Sequence, residues 1–325
     1  MTKISVIVPV YNSEEYIWVA LASIFDQTLK DIEIICVDDG STDNSKQLVL
    51  NAQITDNRIK YIYQKNQGPG VARNLGISIA QGEFIAFLDS DDEYTQNCSL
   101  ELLYTKAKEN NVMICGGSVF DPPGMVSNRQ FFHEGLYDFA EYQCDFWFCR
   151  YIYNRQFLMD NRVEFPVSRY YEDPVFLLKA MSIAKSFYAV CEPVYTQKES
   201  HTSSKPLSVR QQIDYMNGLF ANIELANKMM LRQIYKDNAQ RFKWFQENYH
   251  LENNCIDNDE YLDAYNKVVS SLNWKSVNKE IKNEKRKENR LNRVRYVKLL
   301  PNRIVKRIVG DTLYQQLKKW IKHCG

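Results

Sequence analysis

An acidic run, Asp89-Ser90-Asp91-Asp92, follows the apolar segment EFIAFL. Two carboxylates one residue apart on a tight loop suit a hard divalent cation, Mg2+ or Mn2+, both of which take oxygen ligands. Such a cation would neutralise a nucleotide diphosphate, whose charge grows as it departs from a sugar. Asp91 is the expected direct ligand, and Asp89 is expected to reach a ribose or a metal-bound water. An Asp-x-Asp pair taken alone also reads as an acidic turn.

Three further segments carry chemistry. In VDDGSTD, residues 37–43, Asp39 stands where it can accept a hydrogen bond from the ring N–H of uracil; the plainer reading is a turn and a helix start. In NQGPGVARNLG, residues 66–76, Gly68 and Gly70 allow the backbone to approach a ligand, and Arg73 can reach a phosphate or the acidic loop. In Tyr171-Glu172-Asp173-Pro174, a carboxylate inside a cleft can serve as general base, while Pro174 close behind makes Asp173 equally a helix N-cap.

These residues need a scaffold. ISVIVPV, IEIICVDD, RIKYIYQ and EFIAFLD read as strands, the first a continuous apolar run of the kind buried on both faces. Helical segments alternate with them: EEYIWVALASIFDQT, with Asn12 and Glu15 forming a capping box, then STDNSKQLVLNAQ, opened by Ser41 or Thr42, then GVARNLGISIAQ. This order predicts an α/β fold, a doubly wound, mostly parallel, Rossmann-like sheet. Ligands of such sheets bind beyond the carboxyl ends of the strands, where Tyr11, Asp38, Asp39, Asn66, Asp89 and Asp91 fall. Residues 121–170 read as a strand or two with short helices forming an acceptor wall. A helix follows from about Glu172, then two short strands, SFYAV and PVYTQ, then a C-terminal helical region. The expected parts are a catalytic domain over 1–205 (nucleotide half 1–120, acceptor half 121–205), a helical extension over 206–275 and a basic tail over 276–325.

SVIVPVYN, VDDGSTD, NQGPGVARNLG and FLDSDD, in that order, resemble the nucleotide-binding half of family 2 glycosyltransferases, and the likeness extends over roughly residues 3–200. The resemblance implies the GT-A fold and inverting transfer from a nucleotide sugar, most often a UDP-sugar, of the type that builds bacterial surface polysaccharides and glycoconjugates. It implies that Pro9, Tyr11 and Glu14 line the base pocket and that Asp39 holds uracil. Asn66, Gly70, Arg73, Asp89 and Ser90 would complete the nucleotide site, with Asp173 the base and Glu172 orienting it or touching the donor sugar. Relatives often close a basic, hydroxyl-rich loop over the diphosphate. Here that loop is KESHTSS from Lys198, so His201 is a metal-ligand or diphosphate candidate, although the usual Arg at its start is missing. The Gln-x-x-Arg-Trp signature of processive synthases is absent, which favours addition of a single sugar.

Composition bounds the rest. Residues 275–325 hold sixteen Lys and Arg against four Asp and Glu, leaving 25 basic and 36 acidic residues before them. In 303–322 the apolar residues Ile304, Ile308, Leu313, Leu317 and Trp320 share a helical stripe bordered by basic residues, as in helices lying on anionic membranes. Packing on the body or on a second subunit is the plainer reading of that stripe, and a homo-oligomer stays open. The stripe argues against a nucleic-acid partner. Eight Cys lie scattered without metal-ligand spacing, which with the absence of a signal-peptide pattern leads to the expectation of a reduced, cytoplasmic protein at the inner face of the cell membrane. A saccharide or lipid-linked glycan acceptor would suit that placement. The competing function is a degenerate relative that binds nucleotide or glycan without turnover; the intact carboxylates at 89, 91 and 173 weigh against it.

Overall fold

The computed structural model describes residues 1–120, 129–198, 206–249 and 258–273; His201 and the basic tail lie outside the described residues. Met1–Ser271 form one compact unit. Four strands, β1 (Ile4–Val10), β2 (Ile32–Asp38), β3 (Ile59–Tyr63) and β4 (Phe84–Phe87), pair in parallel in the order β3-β2-β1-β4. Every residue of β2 and β4 is buried, as the unbroken apolar runs require of strands covered on both faces. The sheet continues through β8 (Tyr151–Asn154), antiparallel to β4, then β6 (Ile114–Val119) and β9 (Ser186–Thr196), with β5 (Glu93–Tyr94) and β7 (Gly135–Asp138) both on β9.

Helices α1 (Ile17–Phe25), α2 (Ser45–Thr55) and α3 (Pro69–Ile79) connect the parallel strands. After them come α4 (Ser99–Glu109), the short α5 (Phe139–Tyr142) and α6 (Arg155–Asp160), then α7 (Glu172–Ala184). The C-terminal region is a hairpin of α8 (Val209–Lys228) and α9 (Arg232–Asn248), with α10 (Asp259–Ser271) packed on α8. Among the described residues no helix is long and apolar enough to cross a membrane.

Some local expectations are corrected. The capping box at Asn12 and Glu15 does not form: α1 begins only at Ile17, and Asn12, at φ +48°, accepts the Thr42 backbone N–H instead. The second helix starts at Ser45 rather than at Ser41 or Thr42, because Ser41 N–H is taken by Asp38 and Thr42 N–H by Asn12. SFYAV and PVYTQ are one strand, with Pro193 placed where the register against β6 shifts, a position that demands no ladder N–H. Asp173 is not the N-cap of α7: Tyr171 holds that position without a side-chain cap, and Asp173 sits in the first turn.

The candidate active site

The carboxyl ends of β1 and β4 lie side by side at the centre of the sheet, with β2 beyond β1. Strand order reverses direction across that pair, the place where open α/β sheets form a crevice. A cleft of about 660 Å³ opens there, lined by Pro9, Tyr11, Asp39, Asn66, Arg73, Asp89, Ser90 and Asp91, with Lys65, Gly68 and Arg169 beside them. A second cleft of about 620 Å³ is lined by Phe146, Trp147, Phe148, Tyr170, Tyr171, Tyr195, Tyr215, Arg241 and the acids Asp92 and Asp173. Asp89 lines both.

Arg73 joins the two. Its Nη2 donates to Asp89 Oδ1 at 2.7 Å, and its Nη1 donates to Glu172 Oε1 and Asp173 Oδ1, both at 3.0 Å. The guanidinium lies over Phe148 and Phe165, 4.7 and 5.2 Å from their ring centroids. Those rings belong to an aromatic block with Phe87 and Phe176, the latter stacked on Phe165 at 4.0 Å. Burial works against the cation, but Asp173, Asp89 and Glu172 outweigh it and hold Arg73 firmly charged. Its Nε has no hydrogen-bond partner among the described residues.

One buried guanidinium does not balance the acids gathered round it. Burial, and then the charge of Asp89, raises the Asp91 carboxyl above the usual range. The same two causes push Asp92 up to about 7, although Tyr195 Oη donates to its Oδ2 at 2.5 Å and Lys198 N–H to its Oδ1 at 2.9 Å. Burial also raises the Asp173 carboxyl well above the usual range; Arg73 opposes the rise, and Glu172 and Asp89 add to it. A cation at Asp91 would relieve this surplus. No group of three metal-ligating side chains assembles among the described residues. Asp91 and Asp89 line the first cleft together, and two carboxylates are what a Mg2+ or Mn2+ ion completed by phosphate and water would need.

The remaining expected residues divide. Asp39 is buried, its Oδ1 accepting from Gln64 Nε2 and Gln67 N–H at 2.7 and 2.8 Å and its Oδ2 from Gly68 N–H at 2.8 Å. With about four acceptor sites on a carboxylate, one stays open toward the cleft, and the other bonds shape its floor. Gly68, at φ +97°, makes the turn that aims its N–H there. Ser90 hydroxyl pairs with Ser13 at 2.7 Å, tying the acidic loop to the end of β1. Three of the expected residues, Glu14, Gly70 and Glu172, line neither cleft. Glu14 turns away and accepts from both the backbone N–H and the side chain of Asn44, holding the start of α2. Gly70 serves packing: a Cβ there would lie 3.0 Å from Pro166 O and 3.3 Å from Glu172 Cγ. Glu172 lines neither cleft and is 8% exposed, bracing Arg73 from behind.

Phe146, Trp147, Phe148 and Tyr170 fall in the stretch expected to form an acceptor wall, whereas Lys65, Arg169, Arg241 and Tyr215 escaped the sequence reading. Arg169 and Arg241 sit in no motif; a basic residue two places before the Tyr-Glu-Asp segment is the one local cue for the former. Among the described cysteines Cys36, Cys115 and Cys149 are buried free thiols that burial raises, while Cys98 and Cys144 are half-buried and Cys191 is exposed.

This mixed α/β architecture, a mostly parallel sheet followed by C-terminal helices, is that of the GT-A class. Residues 5–166 match the family described as Glycosyl transferase family 2. The chain is 30% identical over 288 residues to EpsH of Bacillus subtilis, named a glycosyltransferase, a span of 84% of this chain and 78% of that one. It is 41% identical over 138 residues to the GalNAc(5)-diNAcBac-PP-undecaprenol beta-1,3-glucosyltransferase of Campylobacter jejuni, 42% of this chain and 44% of that protein. Among solved structures, S. aureus TarS 1-349 in complex with UDP-GlcNAc aligns with a TM-score of 0.67 at 24% identity over 83% of this chain and 81% of that one, a likeness of fold. The chain belongs to glycosyltransferase family 2 and is an enzyme of glycan biosynthesis.

Proposed function

We propose that the enzyme transfers a single sugar, with inversion, from a UDP-sugar to a hydroxyl of a saccharide or lipid-linked glycan. The observation that carries this reading is the bridge Asp89–Arg73–Asp173 between the two clefts. The nucleotide would occupy the first cleft, between Tyr11, Asp39 and Asn66, and the acceptor the aromatic second cleft, whose rings suit the apolar faces of pyranoses. Asp173 faces that second cleft with 36% of its side chain exposed. It would take the proton of the acceptor hydroxyl as that oxygen attacks the anomeric carbon from the side opposite the departing diphosphate, which inverts the centre. A carboxyl raised by burial is the stronger base once ionised, and Arg73 keeps the ionised form accessible. Asp91, backed by Asp89, would hold Mg2+ or Mn2+, which when bound neutralises charge on the leaving diphosphate. The UDP-GlcNAc complexed with TarS and the undecaprenol-linked acceptor in the name of the C. jejuni relative support the donor and acceptor classes.

Screening nucleotide sugars for metal-dependent UDP release, with and without glycan acceptors, tests this. Release from a UDP-sugar that acceptor accelerates and Asp173→Asn abolishes supports the reading; acceptor-dependent turnover undiminished in Asp173→Asn refutes it. The basic stripe of 303–322 leads to a companion proposal, contact with an anionic membrane at the cytoplasmic face. Deleting residues 277–325 should move the enzyme from membrane to soluble fractions, and unchanged partitioning would refute that contact.

A further inference from the structure

Tyr171 immediately precedes the Glu172–Asp173 pair and has φ +66° and ψ +24°. A bulky residue in the left-handed region is strained and persists only where its surroundings hold it. Here the surroundings come from the C-terminal hairpin. Tyr171 Oη donates to Asn238 Oδ1 at 3.0 Å and accepts from Arg241 Nη1 at 2.8 Å, both partners on α9. The phenol is pushed well up by burial, so the hydroxyl keeps its proton to give. Its ring meets Tyr215 of α8 edge-on at 4.8 Å and rests on Gly218, where an added Cβ would come within 2.6 Å of Tyr171 Cδ1.

The grip is itself anchored. Arg241 makes a two-pronged contact with Asp145, at 2.6 and 2.8 Å, and Asn222 and Asn238 donate to the same carboxylate. Asp214 of α8 accepts the backbone N–H of Arg169, which lines the donor cleft. The hairpin thus holds the strap 169–171 at both ends, and that strap delivers Glu172 and Asp173 to Arg73. The segment matched to the family stops at residue 166, and of the residues in these contacts it includes Asp145 but neither the strap 169–171 nor the hairpin.

We propose that Tyr171 is a positioning residue, gripped by Asn238 and Arg241 of the C-terminal hairpin, that turns the chain so that Asp173 faces the acceptor. This rests on Asp173 being the base. Tyr171→Phe removes the hydroxyl alone. With the full chain, kcat for transfer should fall about tenfold or more, since a small misplacement of a reacting group is costly. The KM for the UDP-sugar and the affinity for UDP should hold within about twofold, because the donor cleft is untouched. Asn238→Ala, which touches no cleft, should give the same split, and the double variant should be no slower than the slower single one, as expected of residues acting through one contact. Gly218→Ala, pressing on the ring, should follow; if it does not fold, the first two variants decide. Unchanged kcat in Tyr171→Phe overturns the proposal. So do independent, multiplying losses in the double variant, or losses of kcat, UDP affinity and thermal stability in parallel. Wild-type turnover in Asp173→Asn would instead remove the base assignment, and this proposal with it.

Discussion

Asp173 and Asp89 lie on elements 84 positions apart in the chain, yet each accepts a hydrogen bond from the same guanidinium, at 3.0 and 2.7 Å. Arg73 therefore sets the spacing between Asp89, which lines both clefts, and Asp173, which lines the second. Because it also contacts Glu172, a change at any of these side chains is felt by the others. Separating chemistry from architecture then requires substitutions that keep shape.

Asp173→Asn keeps volume and can still contact Arg73 through its amide oxygen, but it cannot take a proton. Transfer should fall by about 10²–10⁴-fold, the usual contribution of a general base. UDP affinity, measured by calorimetry, should change little, because the donor cleft does not include this side chain. A parallel loss of UDP binding would contradict the assigned role.

Arg73→Met should damage folding first. Removing one partner from a buried ionic cluster leaves like charges unpaired, at a cost of about 3–5 kcal/mol. Arg73→Lys keeps the charge but offers no planar fork to span three carboxylates, so it should retain more stability while losing most activity. Thermal denaturation and kinetics on the two variants check the order; equal stability of Met and wild type would contradict it.

The pH dependence of kcat follows from the raised Asp173 carboxyl. The base works only when ionised, so the rate should rise with pH on an acid limb lying above the ordinary aspartate range, which is near 4. Weakening the Arg73 contact, which lowers this pKa, should carry the limb to higher pH. An acid limb at or below the ordinary aspartate value, measured with buffers of constant ionic strength, would contradict the geometry.

Metal dependence should respond to one side chain above all. Asp91→Asn removes the carboxylate proposed to hold the cation. The Mg2+ or Mn2+ concentration for half-maximal rate should rise, with kcat down by an order of magnitude or more, of the order of about 1.4 kcal/mol per tenfold. Glu14→Gln, at a side chain occupied with Asn44, should leave that concentration unchanged.

A purely structural prediction concerns Glu33, buried on β2, which accepts from Ser5, Lys60 and the Gln81 N–H. Burial opposes its ionised form, but these bonds win and hold the carboxyl below the usual range. A lowered folded-state pKa contributes stability above the unfolded value, and that stability is lost as pH falls through the folded one. Glu33→Gln should therefore destabilise the protein by about 1–3 kcal/mol near neutrality. The gap between variant and wild type in urea melts should close in acid.

What could be read from the sequence follows the range of the interactions. The parallel strands were legible because a strand buried on both faces leaves an unbroken apolar run, as in IEIICVD. Asp89, Asp91, Asp39 and Arg73 were legible because they sit in short, ordered motifs at strand ends. Glu14 and Gly70 belong to the same motifs, yet one is spent on Asn44 and the other on packing beneath Glu172, which spacing does not reveal. Asn12 misled because its side chain was already taken by Thr42, thirty positions on. The pairing of Asp145 with Arg241, 96 positions apart, leaves no periodic trace.

The hold of the C-terminal hairpin on Tyr171 bears on how such enzymes can be recombined. A chimera that joins residues 1–166, the end of the matched segment, to a foreign segment would part the strap from Asn238 and Arg241 if the hairpin were not carried along with it. The natural seam for exchange keeps 169–171 and 209–241 from one parent. A graft that honours it keeps the strap under its own hairpin, whereas a cut inside it should leave UDP binding intact and slow transfer.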